Sequence, residues 1–489
     1  MTDTVGGKVA RASLQSVAGR LGGRVIDFAT LLVLAQLLVP ADFGLIALAM
    51  TVILLVEAVT DLPINQPILR AESPMPDDYD TAFTLGLVRA LVLAGVVAAA
   101  AGPVAAFYDE PRLPLLILAL ATAPMLRSLV SPRMADFTRA YNMGPDFILT
   151  LSGKMASFGV VVTLAVATQS YWAIAAGTIT TPLVGNVLSY CLAPYRPRLG
   201  LRRWHAFKDI MGWSSLGQFF SALNFQIDRI LLGRTLPAAD LGRYALASDL
   251  TGVAMQGILV PFSGPLTVAL ARAGKTKDLR RAWDKTLNAT FCIMGPVLLA
   301  ISVMTAPIVD LLLGPSWGDL SPILSWLALT TIPAIVGPIL APLANALFRP
   351  RLNAERTIVE FAVKVPLMVV GIAMFGLWGA IAARGVTSMA GMLFSLSGAA
   401  TLTGTRLIDQ LWSLRRTSLG LLTFAGICFW MCPDEGQGSG RLVLGVQLAS
   451  AFGLALAGQW LSMFAFWFLA GRPSDTIEAT VHDRLPDWW

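Results

Sequence analysis

Long apolar runs, separated by short polar or Gly/Pro-rich breaks, recur from one end of the chain to the other. They fall at about residues 13–38, 42–62, 80–107, 113–131, 146–168 and 171–193, then 209–233, 240–270, 287–313, 320–347, 357–377 and 379–401, with a final pair at 417–432 and 441–470. A helix crossing a bilayer needs about 20 mainly apolar residues. The pattern therefore predicts an all-α polytopic membrane protein of about 14 transmembrane helices. The thirteenth run is the shortest and carries the weakest signal.

Composition agrees with the pattern. Hydrophobic residues make up 55% of the chain, charged residues only 13%, and the mean hydropathy is +0.68, a balance that no water-soluble chain of 489 residues could solvate. The spans use up the length, leaving no room for a catalytic domain. The first run carries Arg20, Arg24 and Asp27, unlike the uninterrupted apolar core of a cleaved signal, so the N-terminus is expected to be retained. The net charge of +6 and pI near 9.3 raise nucleic acid as a partner until the distribution is considered. Lys and Arg cluster in the connections, which points to membrane lipids and excludes a nucleic-acid function.

Placing the N-terminus in the cytoplasm puts 25 of the 36 Lys and Arg residues in inner connections and only Arg112, Arg234, Arg243 and Arg441 in outer ones. Cytoplasmic loops carry the excess of Lys and Arg, so both termini are expected inside. The most basic connections, 194–208 and 272–285, read as topology anchors, with a lipid-headgroup or partner site as the rarer alternative. Outer turns such as 39–42 and 375–379 are too short for an extracellular domain.

A shift of 198 residues aligns Leu38–Ala49 (LVPADFGLIALA) with Leu236–Ala247 (LPAADLGRYALA), seven of twelve positions being identical. Asp42 with Asp240 and Gly44 with Gly242 are the informative matches. Six spans separate the copies, so the two blocks enter the membrane in the same direction, as parallel repeats. The expected organisation is two six-helix lobes, 1–200 and 201–405, then two further helices over 406–470 and a cytoplasmic tail over 471–489. Asp42 and Asp240 are expected to cap the helices that follow them.

Charges inside spans are costly and call for a protein partner or a wet cavity. Ser13, Ser16, Arg20, Arg24 and Asp27 lie on one stripe of the first helix, and Ser214, Gln218, Ser221, Asn224 and Asp228 on one stripe of the seventh. Facing lobes would put these stripes on a shared cavity. The positive residues within spans are Arg20, Arg24, Arg89, Lys154, Arg229, Lys364 and Arg384; the acids are Asp27, Glu57, Asp228, Asp249 and Glu360. Arg24 with Asp27 and Glu360 with Lys364 are expected to pair along their helices, and Arg89, Lys154 and Lys364 lie close enough to the inner surface to snorkel. The remaining excess of positive charge suits an anionic ligand, with Arg20, Arg24, Arg89, Lys154 and Arg229 as candidate phosphate contacts and Asp27, Gln218, Asn224, Asp228 and Glu57 as cavity-lining or coupling groups. Cys191, Cys292, Cys428 and Cys432 read as free thiols in or beside apolar runs, and His205 and His482 as surface residues. No cofactor or metal site is indicated.

Several of these residues carry a family resemblance. The turn Leu38-Val39-Pro40-Ala41-Asp42-Phe43-Gly44-Leu45 is similar to the L-x-P-x-[DE]-[FY]-G turn of the Wzx-type polysaccharide flippases, which belong to the multidrug/oligosaccharidyl-lipid/polysaccharide (MOP) flippase superfamily. Tyr171-Trp172-Ala173, Tyr195-Arg196-Pro197-Arg198 and Asp228-Arg229-Ile230-Leu231-Leu232-Gly233-Arg234 extend the likeness, which is strongest over the first 270 residues. The resemblance implies a V-shaped pair of six-helix lobes that moves lipid-diphosphate-linked glycans across the bacterial inner membrane by alternating access. It implies no enzymatic activity, and it makes Arg20 and Arg24 the counterparts of the family's cavity arginines. Partners on this reading are a lipid-linked oligosaccharide, membrane lipids and polysaccharide polymerase or export machinery. A MATE-like cation or drug exporter is the alternative, though it would want an acid-dominated cavity. An enzyme of polyprenyl-linked glycan assembly is the second alternative, though it would need larger outer loops.

Overall fold

Each apolar run becomes helix, and the breaks between runs set where the helices start. The computed structural model describes residues 5–61, 64–71, 73–276, 278–433, 441–471 and 478–479, side chains excepted at 5–14, 70, 205–219, 258, 260, 261, 276 and 315. By contacts the chain divides into two compact units, Met1–Gly242 and Arg243–Trp489. Helices of the first are α1 (Val5–Leu37), α2 (Pro40–Thr60), α3 (Asn65–Arg70), α4 (Pro76–Tyr108), α5 (Leu113–Ser128), α6 (Met134–Arg139), α7 (Gly144–Thr168), α8 (Trp172–Leu192) and α9 (Trp204–Thr235). Next comes α10 (Ala238–Thr276), whose first turn belongs to the first unit. The second unit continues with α11 (Leu279–Val303), α12 (Thr305–Leu312), α13 (Leu320–Thr331), α14 (Val336–Ala346), α15 (Arg351–Thr403), α16 (Leu407–Ser413), α17 (Arg415–Trp430) and α18 (Arg441–Leu469). No strand occurs among the described residues.

Helix starts follow local chemistry. α2 and α4 each open on a proline, whose missing N–H falls where no intrahelical partner exists. Asp78 accepts the Met75 N–H at 2.9 Å and adds negative charge to the first turn of α4. Two predicted single spans are broken. Residues 287–313 divide at Met304 between α11 and α12, and 320–347 divide between α13 and α14 at a short 3-10 turn over Ile332–Ile335, where Pro333 interrupts the ladder. The 53-residue α15 turns at Gly376 (φ 57°, ψ −132°), a conformation that only glycine adopts without strain. There the backbones of Gly371 and Gly379 approach so closely that a Cβ on either would overlap the other's carbonyl. The outer turn predicted over 375–379 is thus a glycine hairpin between two helices. The short helices α3, α6 and α16 occupy connections that the apolar pattern leaves as loops.

Among the described residues, seven helices are long and apolar enough to cross a membrane, or eight when the halves of α10, Ala238–Gly257 and Phe262–Lys275, are joined across their 45° bend. α4 shows why lipid is the solvent. Leu93, Val97 and Ala101 are buried along one side, while Val88, Leu91, Val92 and Val96 on the other are half exposed, a contiguous apolar stripe that water would not tolerate.

In the first unit α1 packs on α7, α7 on α8, α4 and α8 on α5, and α2 on α9, with Leu116, Ile117 and Leu120 of α5 fully buried. In the second, Trp283, Leu287 and Met294 of α11 pack with Ile339, Leu340 and Leu343 of α14 and Leu396 of α15. The Trp283 indole donates to Gln410 Oε1 at 2.9 Å, which pairs its buried N–H.

The repeat extends to individual hydrogen bonds. The Leu38 N–H donates to Leu34 O at 2.8 Å and the Leu236 N–H to Leu232 O at 2.9 Å; the Asp42 N–H donates to Val39 O and the Asp240 N–H to Pro237 O, both at 3.1 Å. Every pair of positions is separated by the same 198 residues. The copies also touch. A Cβ on Gly44 would overlap the Ala238 carbonyl, and one on Gly242 would overlap the Pro40 carbonyl, a reciprocal contact between equivalent positions. The expected capping role differs in detail. The cap of α2 is Val39, which makes no side-chain cap bond, and Asp42 is the third helical residue, its carboxylate turned back to the Val39 amide. That placement satisfies the amide ahead of the helix and favours the dipole, without the N-cap geometry.

Candidate functional site

The polar groups of the first unit's long helices are drawn together by glycines. Gly19, Gly22 and Gly23 of α1 face α7. A Cβ on Gly19 would stand 3.1 Å from Phe147, and one on Gly23 would stand 3.0 Å from the Lys154 methylenes. Small residues four apart allow this approach, and the Lys154 stem lies along the gap. Its ammonium then donates to Asp27 Oδ2 at 2.6 Å. Asp27 therefore pairs across to α7, a partner that the sequence pattern did not offer. Arg20 and Arg24 are both exposed on α1, and Arg20 makes no hydrogen bond or ion pair among the described residues.

Other predicted site residues fall into separate pairs. Arg89 of α4 meets Asp61, just past the end of α2, at 3.0 Å, and Glu57 near the same end of α2 accepts from Arg127 of α5 at 3.0 Å. On α9, Asp228 and Arg229 are buried, Asn224 is half-buried and Ser221 exposed; Ser214 and Gln218 lie outside the described side chains. The neighbouring Gln226 is 1% exposed and accepts from Thr51 of α2 at 3.2 Å. In the second unit Glu360 takes a hydrogen bond from Arg356, one turn before it, Lys364 is buried, and Arg384 donates to Ser248 at 2.9 Å. Cys292 and Cys428 are buried free thiols, whereas Cys191 is exposed.

A second polar cluster, at the N-terminal end of α4, was missed by the sequence pattern. Tyr79 donates to Asp136 of α6 at 2.6 Å, Tyr195 donates to Asp80 at 2.6 Å, and Arg203 reaches Asp78 at 3.0 Å. Burial and the bond to Asp80 push the Tyr195 hydroxyl above the usual tyrosine range. The available signal was the acidic run Asp77-Asp78-Tyr79-Asp80 set against the basic stretch 194–208, two segments 120 residues apart that no helical periodicity links.

Chemically, the long helices offer charge pairs that hold helices together in lipid, with cationic side chains left exposed on α1. No group of three or more His, Cys, Asp and Glu able to hold a metal occurs among the described residues.

Fold and site define a helical membrane transporter. The structure superposes on the lipid II flippase MurJ in an inward closed conformation with a TM-score of 0.73, covering 94% of this chain and 100% of that one at 11% identity. An inward-facing MATE-family multidrug resistance transporter of the MOP superfamily superposes with a TM-score of 0.59, over 81% and 95% of the two chains at 15% identity. At these identities the likeness is one of fold. The family model described as "Polysaccharide biosynthesis protein" matches residues 33–322, and the chain belongs to that family. Similar relatives are the succinoglycan biosynthesis transport protein ExoT of Rhizobium meliloti, 22% identical over 334 residues and 68% of each chain, and the lipopolysaccharide biosynthesis protein WzxC of Escherichia coli, 23% identical over 360 residues, 71% of this chain and 72% of that one.

Proposed function

We propose that the protein is a flippase for an undecaprenyl-diphosphate-linked oligosaccharide, moving the repeat unit of an exopolysaccharide or lipopolysaccharide across the bacterial inner membrane by alternating access. The observation that carries this reading is the exposed Arg20 on α1, beside Arg24, in a family of polysaccharide biosynthesis proteins whose relatives are named for glycan transport. A guanidinium matches a diphosphate in donor geometry and stays charged at any physiological pH. Arg20 and Arg24 are the diphosphate contacts. Arg89 and Lys154, each bound to a carboxylate, are secondary contacts that a substrate anion would have to win from Asp61 and Asp27, and Arg229, Asp228, Asn224, Gln218 and Glu57 line or couple the path. Fourteen crossings with both termini cytoplasmic agree with the Lys and Arg distribution, lobes over 1–200 and 201–405 agree with the 198-residue repeat, and the protein works with a polymerase or export machinery and without catalysis or a cofactor.

A chromosomal deletion tests the reading. Cells should lose the polymer and accumulate its lipid-linked repeat unit on the cytoplasmic leaflet, and purified protein in liposomes should translocate a fluorescent lipid-linked oligosaccharide. Undiminished polymer in the deletion strain would sink it. Export of ethidium by the same liposomes, without glycolipid movement, would favour the MATE-like alternative.

A further inference from the structure

Beside the N-terminal end of α4 lies a cavity of about 460 Å3, lined by Tyr79, Asp80, Arg133, Tyr195, Arg196 and Arg198 among others. Its walls are tied down. The rings are held by the bonds of Tyr79 to Asp136 and Tyr195 to Asp80, and Tyr190 behind them donates to Leu129 O at 3.0 Å. The connecting segment is pinned to α4 as well, the Gly200 N–H donating to Thr84 Oγ1 at 2.9 Å. A stretch serving only to anchor topology needs charge but no such construction.

The surrounding acids are engaged. Asp136 and Asp80 accept from tyrosines, Asp78 pairs with Arg203, and Asp77 stands 3.8 Å from Arg202. Arg196 and Arg198 are exposed and make no ion pair among the described residues, while Arg133 lies over the Tyr79 ring at 5.8 Å and reaches only the Pro194 carbonyl, at 3.4 Å. Three guanidinium groups thus border one cavity in which a single carboxylate, already bonded, opposes them. The position along α4 is also informative. Arg89 meets Asp61 at the end of α2, and Tyr79 lies ten residues before Arg89, roughly 15 Å nearer the N-terminal end of α4. The cavity sits beside the connection 194–208, which carries Arg196, Arg198, Arg202, Arg203 and Lys208.

We infer that this cavity is a second ligand site, which binds a sugar carrying a phosphate or diphosphate by clamping the phosphate between Arg133, Arg196 and Arg198 and laying the sugar on the Tyr79 and Tyr195 rings. The volume is in the range of small-molecule sites and too roomy for a lone phosphate. Planar guanidinium forks suit phosphate oxygens, and rings with one bonded carboxylate suit a sugar, which offers both C–H faces and hydroxyl donors. The ligand class rests on the flippase reading; the site itself does not. A lipid-linked glycan waiting at the cytoplasmic face and a soluble sugar nucleotide present the same chemistry.

The test uses full-length protein in nanodiscs with three probes: UDP-glucose in solution, undecaprenyl-diphosphate-linked glucose in the disc, and cardiolipin in the disc. Arg196→Ala with Arg198→Ala should weaken binding of UDP-glucose, of the lipid-linked sugar, or of both by tenfold or more, whereas Arg196→Lys with Arg198→Lys should retain part of it. Loss confined to the lipid-linked probe identifies a waiting site for transport substrate; loss for UDP-glucose identifies a soluble ligand. A thermal unfolding midpoint of the double Ala variant matching that of the unchanged protein checks that the fold survives. Unchanged binding of both sugar probes in the double Ala variant, or loss confined to cardiolipin, would overturn the inference. Either outcome is separable from the flippase reading, which stands or falls on polymer production in the deletion strain.

Discussion

Adding one methyl group at Gly44 should destabilise the protein out of proportion to its size. In a helix, Gly→Ala ordinarily gains about 0.5–1 kcal/mol. At Gly44 the new Cβ would overlap the Ala238 carbonyl, and at Gly242 it would overlap the Pro40 carbonyl and stand 2.8 Å from the Gly44 nitrogen. These neighbours are backbone and cannot rotate aside, so the cost belongs near the top of the overpacking range, about 3 kcal/mol. The net loss is about 2 kcal/mol, or roughly 4–8 °C in Tm for a body of this size. Thermal unfolding in detergent, followed by tryptophan fluorescence, is the assay. Gly95→Ala on α4 is the control, because nothing lies within 4 Å of that position; it should melt with or above the unchanged protein. Gly44→Ala and Gly242→Ala should cost similar amounts, and together less than their sum, since both push apart one contact. If Gly44→Ala melts with Gly95→Ala, the reciprocal packing of the repeated turns is wrong.

Lys154→Ala should cost about 2.5–3.5 kcal/mol by leaving the Asp27 carboxylate without its ammonium in an apolar helix, and adding Asp27→Ala should restore most of the lost membrane abundance; singles as abundant as the parent would remove the pair from the account. In a cysteine-free background, required because Cys191 is exposed, Asp109→Cys should react with an impermeant maleimide on intact cells and Lys275→Cys should not, the reverse pattern inverting the topology. The Arg112 side chain, through its hydrogen bonds, holds the Glu110 carboxyl below the ordinary value of 4.5, so the stability it adds is present above that value and fades as pH falls through the lowered one. With Arg112 half exposed the effect is small, about 0–1 kcal/mol. A Glu110→Gln Tm deficit seen at pH 7 should therefore shrink in acid, and a deficit that grows there would contradict the sign.

Some of this molecule is local and could be read along the chain. A run of about 20 apolar residues has one low-energy form in lipid, a helix satisfying its own backbone, which is why the predicted runs coincide with helices and why proline and glycine mark their ends. The turn at Asp42 and its copy at Asp240 were legible because a short motif with fixed backbone bonds leaves the same residues wherever it recurs. The partner of a charge was not legible, because pairing depends on which helix lies opposite. The sequence offered Asp27 only Arg24, one turn away; that Lys154 also reaches it follows from glycines at 19 and 23, which bring α7 within reach of α1. The cavity between Tyr79 and Arg198 was hidden for the same reason, its two walls lying 120 residues apart. Sequence periodicity determined that the chain is a bundle of membrane helices with surplus positive charge; only packing decided which charges come together across helices, because Coulomb energy and hydrogen bonding act over a few ångströms in space and not over distance along the chain.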